Sequence, residues 1–240
     1  MSVGSGWTLG RGLQVLIAAA AASTLSADAW LYSRLQSGTF IWHIPQDPSD
    51  PSYFTGTTLS PLVQLPGVIL LTAEVVWLVW QHRATSQLWV RRYPDLKITP
   101  GWAVGWWFIP VAWWVMPCVA MLELDRRSTA DGVPRRASPI VGLWWAAWLA
   151  ASIVPVIGLV GAALPAIRDL VDRIDENVTI LDLSAIAHTV APWVLVAGIL
   201  QVVAGALAIA VVRRIEAGQE AMAASGSGWL IPVPARPDAG

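Results

Sequence analysis

Pro100-Gly101-Trp102-Ala103-Val104-Gly105-Trp106-Trp107-Phe108-Ile109-Pro110 is an apolar run with cations on both sides. Arg83, Arg91, Arg92 and Lys97 precede it, and Arg126, Arg127, Arg135 and Arg136 follow it. Lys and Arg collect on the cytoplasmic side of a membrane, so a segment flanked by them at both ends resists being threaded across. The rest of the chain can be placed around that conflict.

The surrounding composition is that of a membrane protein. Of 240 residues, 55% are hydrophobic and 13% charged, against about 25% charged in a globular domain, and the mean hydropathy is +0.57. A net charge of -1 supplies no global attraction to nucleic acid, so no nucleic-acid partner is expected. Cys118 stands alone and cannot form an intramolecular disulfide. Of sixteen Trp, eleven lie between Trp77 and Trp148, and indole rings favour the headgroup layer.

Four stretches are long and apolar enough to span, about 20 residues being needed: residues 13–33, 62–81, 140–164 and 191–212. The first has an alternative reading as a cleaved signal peptide, with Ala27-Asp28-Ala29 imitating the cleavage site. Residues 36–61 are rich in Pro, Ser, Thr, Asp and Gly and carry no cation, as expected of an extracytoplasmic loop. Residues 166–189 are acidic, and Ile167, Leu170, Val171 and Ile174 repeat at helical spacing, which predicts a short amphipathic helix there. The membrane domain is expected to occupy residues 1–215, and the Gly- and Pro-rich residues 216–240 a disordered cytoplasmic tail.

Counting cations decides the topology. If residues 100–124 do not cross, twelve cations lie inside: Arg11, the eight flanking the run, Arg213, Arg214 and Arg236. Only Arg34, Arg168 and Arg173 lie outside. If the run crosses, the division is eight to seven. The expected fold is therefore an all-α integral membrane protein with four transmembrane helices, a Trp-rich interfacial or re-entrant segment, and both termini cytoplasmic. Pro110 and Pro117 agree, because each removes a helix hydrogen bond and frees a carbonyl that lipid cannot satisfy. The alternative is five transmembrane helices, the run being a Pro-kinked span.

The stretch Trp80 to Arg126 resembles a bacterial membrane family, domain of unknown function 4328. Its pattern is approximately W-x-x-R-A-x-x-N, a basic linker, P-G-W-A-V-G-W-W-F-x-P-x-A-N-L-W-x-P-Y, then a helix with R-E-L-W. Trp80, Arg83, Ala84, the whole of Pro100 to Pro110, Ala112, Pro117, Glu123 and Leu124 match. Gln87, Trp113, Cys118 and Leu122 depart from it. The resemblance implies several membrane helices in a bacterial cell membrane and no catalytic residues.

Glu74 lies about twelve residues into the second span, where an ionisable group is costly enough to be a functional candidate. Arg83, Trp102, Trp106, Trp107, Pro110, Pro117 and Glu123 are the other candidates, from the motif and from the cytoplasmic basic surface it borders. Such a surface attracts anionic lipid headgroups. His43, His82 and His188 do not share one membrane depth, no HExxH or CxxC spacing occurs, and no nucleophile elbow or phosphate loop appears. No catalytic residue, cofactor or metal is therefore expected. The expected function is a non-enzymatic scaffold or regulatory subunit whose partners are membrane lipids and a membrane or cytoplasmic protein. The rival is a small transporter or channel using Glu74; an enzyme acting on lipid is a weaker third.

Overall fold

The computed structural model describes residues 4–36, 61–90, 96–129, 133–173 and 184–225. The 36–61 loop with His43, most of the acidic loop and the end of the tail lie outside the described residues, save Gln36 and Pro61. Every regular element among the described residues is helical. Four long helices dominate: α1 (Gly4–Gln36), α2 (Pro61–Val90), α5 (Pro139–Arg173) and α6 (Ser184–Ala224). Each contains a segment long and apolar enough to cross a membrane: Leu9–Gln36, Leu65–Val90, Pro139–Pro165 and His188–Ala224. Between α2 and α5 lie the short helices α3 (Pro100–Gly105) and α4 (Met116–Arg127), linked by two 3-10 turns, Trp106–Phe108 and Ala112–Trp114.

The chain forms two compact units. Unit 1 takes residues 1–15, 74–145 and 207–240; unit 2 takes residues 16–73 and 146–206. Among the described residues, every cation except Arg34, Arg168 and Arg173 belongs to unit 1. The described cations on either side of the aromatic run therefore fall in the same compact unit as Arg11, Arg213 and Arg214.

The Trp-rich segment is too short to span, for a physical reason. Thr99 opens α3 by accepting the Trp102 amide proton on Oγ1, and Pro100 supplies a preset φ in the first turn. The helix cannot pass Pro110, which lacks an N–H and holds Ile109 extended at φ -99°, ψ 113°. Nine residues from Pro100 to Phe108 rise only about 15 Å, half of a hydrocarbon core of about 30 Å. The chain then reverses and returns through α4. This is the expected four-span architecture with a folded-back aromatic segment.

Two boundaries differ from the sequence reading. Helix α6 continues to Ala224, beyond residue 216 where the tail was placed, because Ile215 and Met222 are buried and Gln219 Nε2 donates to the Ala84 carbonyl at 3.0 Å. Helix α5 runs on to Arg173, so residues 166–173 continue that helix beyond its apolar span, which ends at Pro165, instead of starting a separate amphipathic helix. Pro165 is tolerated within it, as in other membrane helices.

Candidate functional site

The site grows from the second half of α2. Trp77, Trp80, Gln81, Ala84, Thr85 and Leu88 are buried and recur every three to four residues, placing one helix face in the core of unit 1. A fully buried Gln in that row needs partners, and the aromatic hairpin supplies both. Gln81 Nε2 donates to the Ala103 carbonyl at 3.0 Å, and Gln81 Oε1 accepts from Trp107 Nε1 at 3.0 Å. One amide thus fixes the outgoing limb. Trp145 on α5 fixes the return limb by donating its indole N–H to the Trp114 carbonyl at 3.2 Å, and its ring meets Trp107 edge-on at 5.9 Å. Ile98, Ala103 and Ala120 form a small apolar core between the limbs.

The hairpin is polar at its base and apolar at its tip. At the base, the Lys97 amide donates to Glu123 Oε1 at 2.9 Å, and Arg127 Nε lies 3.4 Å from the same oxygen. The segment therefore leaves and returns at one place. At the tip, Phe108 and Val111 are 71% and 85% exposed around Pro110, which leaves an apolar surface there.

Two carboxylates lock this assembly. Asp125, fully buried at the end of α4, accepts from Arg135 Nη2 and Arg214 Nε at 2.7 Å each and from the Ser138 amide at 2.9 Å. Arg135 Nε also donates to the Asp125 carbonyl at 3.1 Å. Buried charge is tolerated when its lone pairs are filled in this way. Glu216 of α6 accepts from Gln14 Nε2 at 3.2 Å and from Trp80 Nε1 at 3.3 Å, tying α1, α2 and α6 together. Gly10 and Gly218 make room for these contacts. A Cβ at Gly10 would overlap the Glu216 carboxyl, and one at Gly218 would overlap the Ser128 carbonyl.

The predicted candidates divide between the hairpin and elsewhere. Trp102 and Trp106 stack on each other at 4.7 Å, with Trp102 half exposed. Trp107 is held by Gln81, Pro117 is buried in the first turn of α4, and Glu123 closes the base. Pro110 forms the exposed tip, and Arg83 is exposed on α2. Glu74 is exposed on α2 and forms no hydrogen bond or ion pair among the described residues. Sequence reasoning missed Gln81, Asp125, Gln14, Arg214 and Glu216. The one available signal was a carboxylate in each of two arginine clusters, Asp125-Arg126-Arg127 and Arg213-Arg214-Ile215-Glu216.

A family model for a domain of unknown function, DUF4328, matches residues 53–217. This chain belongs to the DUF4328 family. The match takes in α2 through most of α6 and so contains the whole hairpin and both of its carboxylate locks. No curated protein and no solved structure matches this DUF4328 chain. Among the described residues no three His, Cys, Asp or Glu side chains gather as a metal site. Burial pushes the Cys118 thiol above its usual range, which suits packing more than reactivity.

Proposed function

We propose that this DUF4328 protein is a non-enzymatic scaffold or regulatory subunit of a bacterial cell membrane, with both termini cytoplasmic. Its working surface is the aromatic hairpin with the arginines around it. The observation that carries this reading is the rigid mounting of an exposed aromatic surface: Gln81, Trp145, Glu123 and Asp125 hold a segment whose own outer residues, Trp102, Phe108 and Trp114, are left uncovered. Preorganised aromatic side chains make good binding anchors, because little rotamer freedom remains to be lost. Exposed Arg83, Arg126, Arg136 and Arg213 in the same unit suit anionic headgroups or an acidic partner segment.

The test is site-specific photo-crosslinking in cells from residue 102, with residue 68 on the exposed face of α2 as control. A discrete protein adduct from position 102, absent from position 68 and lost in Arg126→Glu/Arg136→Glu, is the expected result. Lipid adducts alone from both positions would overturn the reading. The transporter alternative draws less support, since Glu74 faces away from its own unit and shares no polar path with another described side chain. Unchanged solute flux in Glu74→Gln would remove it.

A further inference from the structure

Unit 2 contains a different polar feature, on the seam between α1 and α6. Ala21, Thr24 and Asp28 stand at i, i+3 and i+7 on α1, and Gly198, Gln201 and Gly205 stand at the same spacing on α6. The glycines fix the register. A Cβ built on Gly205 would lie 3.3 Å from Ala21 Cβ, and one built on Gly198 would lie 2.8 Å from Asp28 Oδ2. The helices are therefore antiparallel here, the Asp28 carboxyl lies against the bare backbone of α6, and Thr24 and Gln201 share the level between the two glycines.

None of the three polar side chains is satisfied. Thr24 Oγ1 is enclosed and has no hydrogen-bond partner among the described residues. Asp28 and Gln201, both half-buried, have no hydrogen bond or ion pair among them either. The depth makes this costly. Asp28 is eight residues from Gln36 and Gly198 ten from His188, and Gln36 and His188 meet at 3.1 Å at the end of the helix pair. At about 1.5 Å per residue the carboxyl sits roughly 12–15 Å in from that end of the helix pair, within the apolar span Leu9–Gln36. An uncompensated carboxylate at such a depth costs several kcal/mol.

Among the described residues no cation pairs with it. On α1, Arg34 places its guanidinium 5.4 Å over the Trp30 ring. On α6 the nearest titratable residue is His188, bonded to Gln36. The part of α2 in this unit, residues 61–73, contains no titratable side chain, and on α5 the cations Arg168 and Arg173 come only after Pro165, where the apolar span ends.

We infer that Asp28, Thr24 and Gln201 form a binding site for one monovalent cation, sodium or a proton. A carboxylate, a hydroxyl and an amide oxygen are hard oxygen donors, the set that alkali cations take. Asp28 is the one acidic residue in these segments, so a single positive charge neutralises the site, whereas a divalent ion would leave it charged. The site does not depend on the scaffold reading and is independent of the aromatic hairpin.

The test is thermal unfolding of the purified protein in detergent, in sodium, potassium and choline chloride at constant ionic strength and about pH 8. Acidification to about pH 5 in choline follows, so that protons compete for the same carboxylate. Occupancy by sodium raises Tm in sodium over choline. The shift is expected to vanish in Asp28→Asn, and apparent affinity to fall about tenfold or more in Thr24→Val and in Gln201→Leu. A stabilisation seen only on acidification and lost in Asp28→Asn assigns the ligand as a proton. If Asp28→Asn does not fold, the Thr24 and Gln201 variants carry the sodium arm. A shift that survives these substitutions, or none in any cation or pH, overturns the proposal.

Discussion

Asp125 in unit 1 and Asp28 in unit 2 are both carboxylates in an apolar chain, and they are treated in opposite ways. Asp125 is fully buried and accepts from two guanidinium groups and a backbone amide. Asp28 lies against a glycine backbone with no donor among the described residues. A saturated carboxylate has nothing left to bind, and its work is to fix the helices that supply its donors. An unsaturated one at a helix seam keeps acceptor lone pairs open. Satisfaction, more than burial, separates the structural acid from the candidate binding acid.

The sharpest way to break this comparison is to truncate each acid in turn. Asp125→Ala strands two arginines and the Ser138 amide and should cost about 3–5 kcal/mol, measured by reversible denaturant unfolding in micelles. Asp28→Ala should be neutral or slightly stabilising in cation-free buffer, since it removes an uncompensated charge. Equal losses from both would end the distinction.

Gln81→Leu is the next largest effect. It removes the donor to the Ala103 carbonyl and the acceptor for the Trp107 indole N–H, a loss of about 2 kcal/mol. Faster exchange of the Trp107 indole proton by NMR would report the freed limb, whereas unchanged protection would show that Trp145 and the apolar core suffice. Gly218→Ala should cost about 1–2 kcal/mol, because the Ser128 carbonyl it meets is backbone and yields little. Gly10→Ala should cost less, since it meets the flexible end of Glu216; a reversed order would show that the α1 contact is the stiffer one.

The smallest effect concerns Cys118. Burial raises its thiol pKa above the ordinary value, and the thiolate is the nucleophile. At neutral pH the folded protein should therefore alkylate more slowly than the protein unfolded in SDS. The folded rate should keep rising with pH after the unfolded rate has levelled off. A folded rate equal to the unfolded one would place Cys118 in open solvent.

The spans and the folded-back segment were legible in the sequence because each rests on one-dimensional information. Hydropathy marks residues such as Ile140 to Leu164, and Pro110 marks the break in the aromatic run, without reference to any contact. The end of α6 was misread, since Glu216-Ala217-Gly218-Gln219-Glu220-Ala221 is polar and carries a glycine, like a tail. It is also rich in good helix formers, and its anchors, Ala84 and Ser128, lie far away in the chain. Gln81 and Asp125 stayed hidden for the same reason: their value depends on which helix face meets which, and a lone polar letter carries no record of that. Asp28 was visible as an oddity, but Gly198 and Gln201 opposite it were not.

The closed base of the hairpin bears on how the protein is assembled. Lys97 and Glu123, joined by a 2.9 Å hydrogen bond, bracket residues 98–122, which contain no charged side chain. A stretch of that length and polarity would ordinarily be taken up by the insertion machinery as a span, and Pro110 and the clamped ends deny it that path. Because Gln81 on α2 and Trp145 on α5 each hold one limb, the fold of this segment is completed only when those two helices have come together, and its place is set by tertiary packing more than by its own hydropathy.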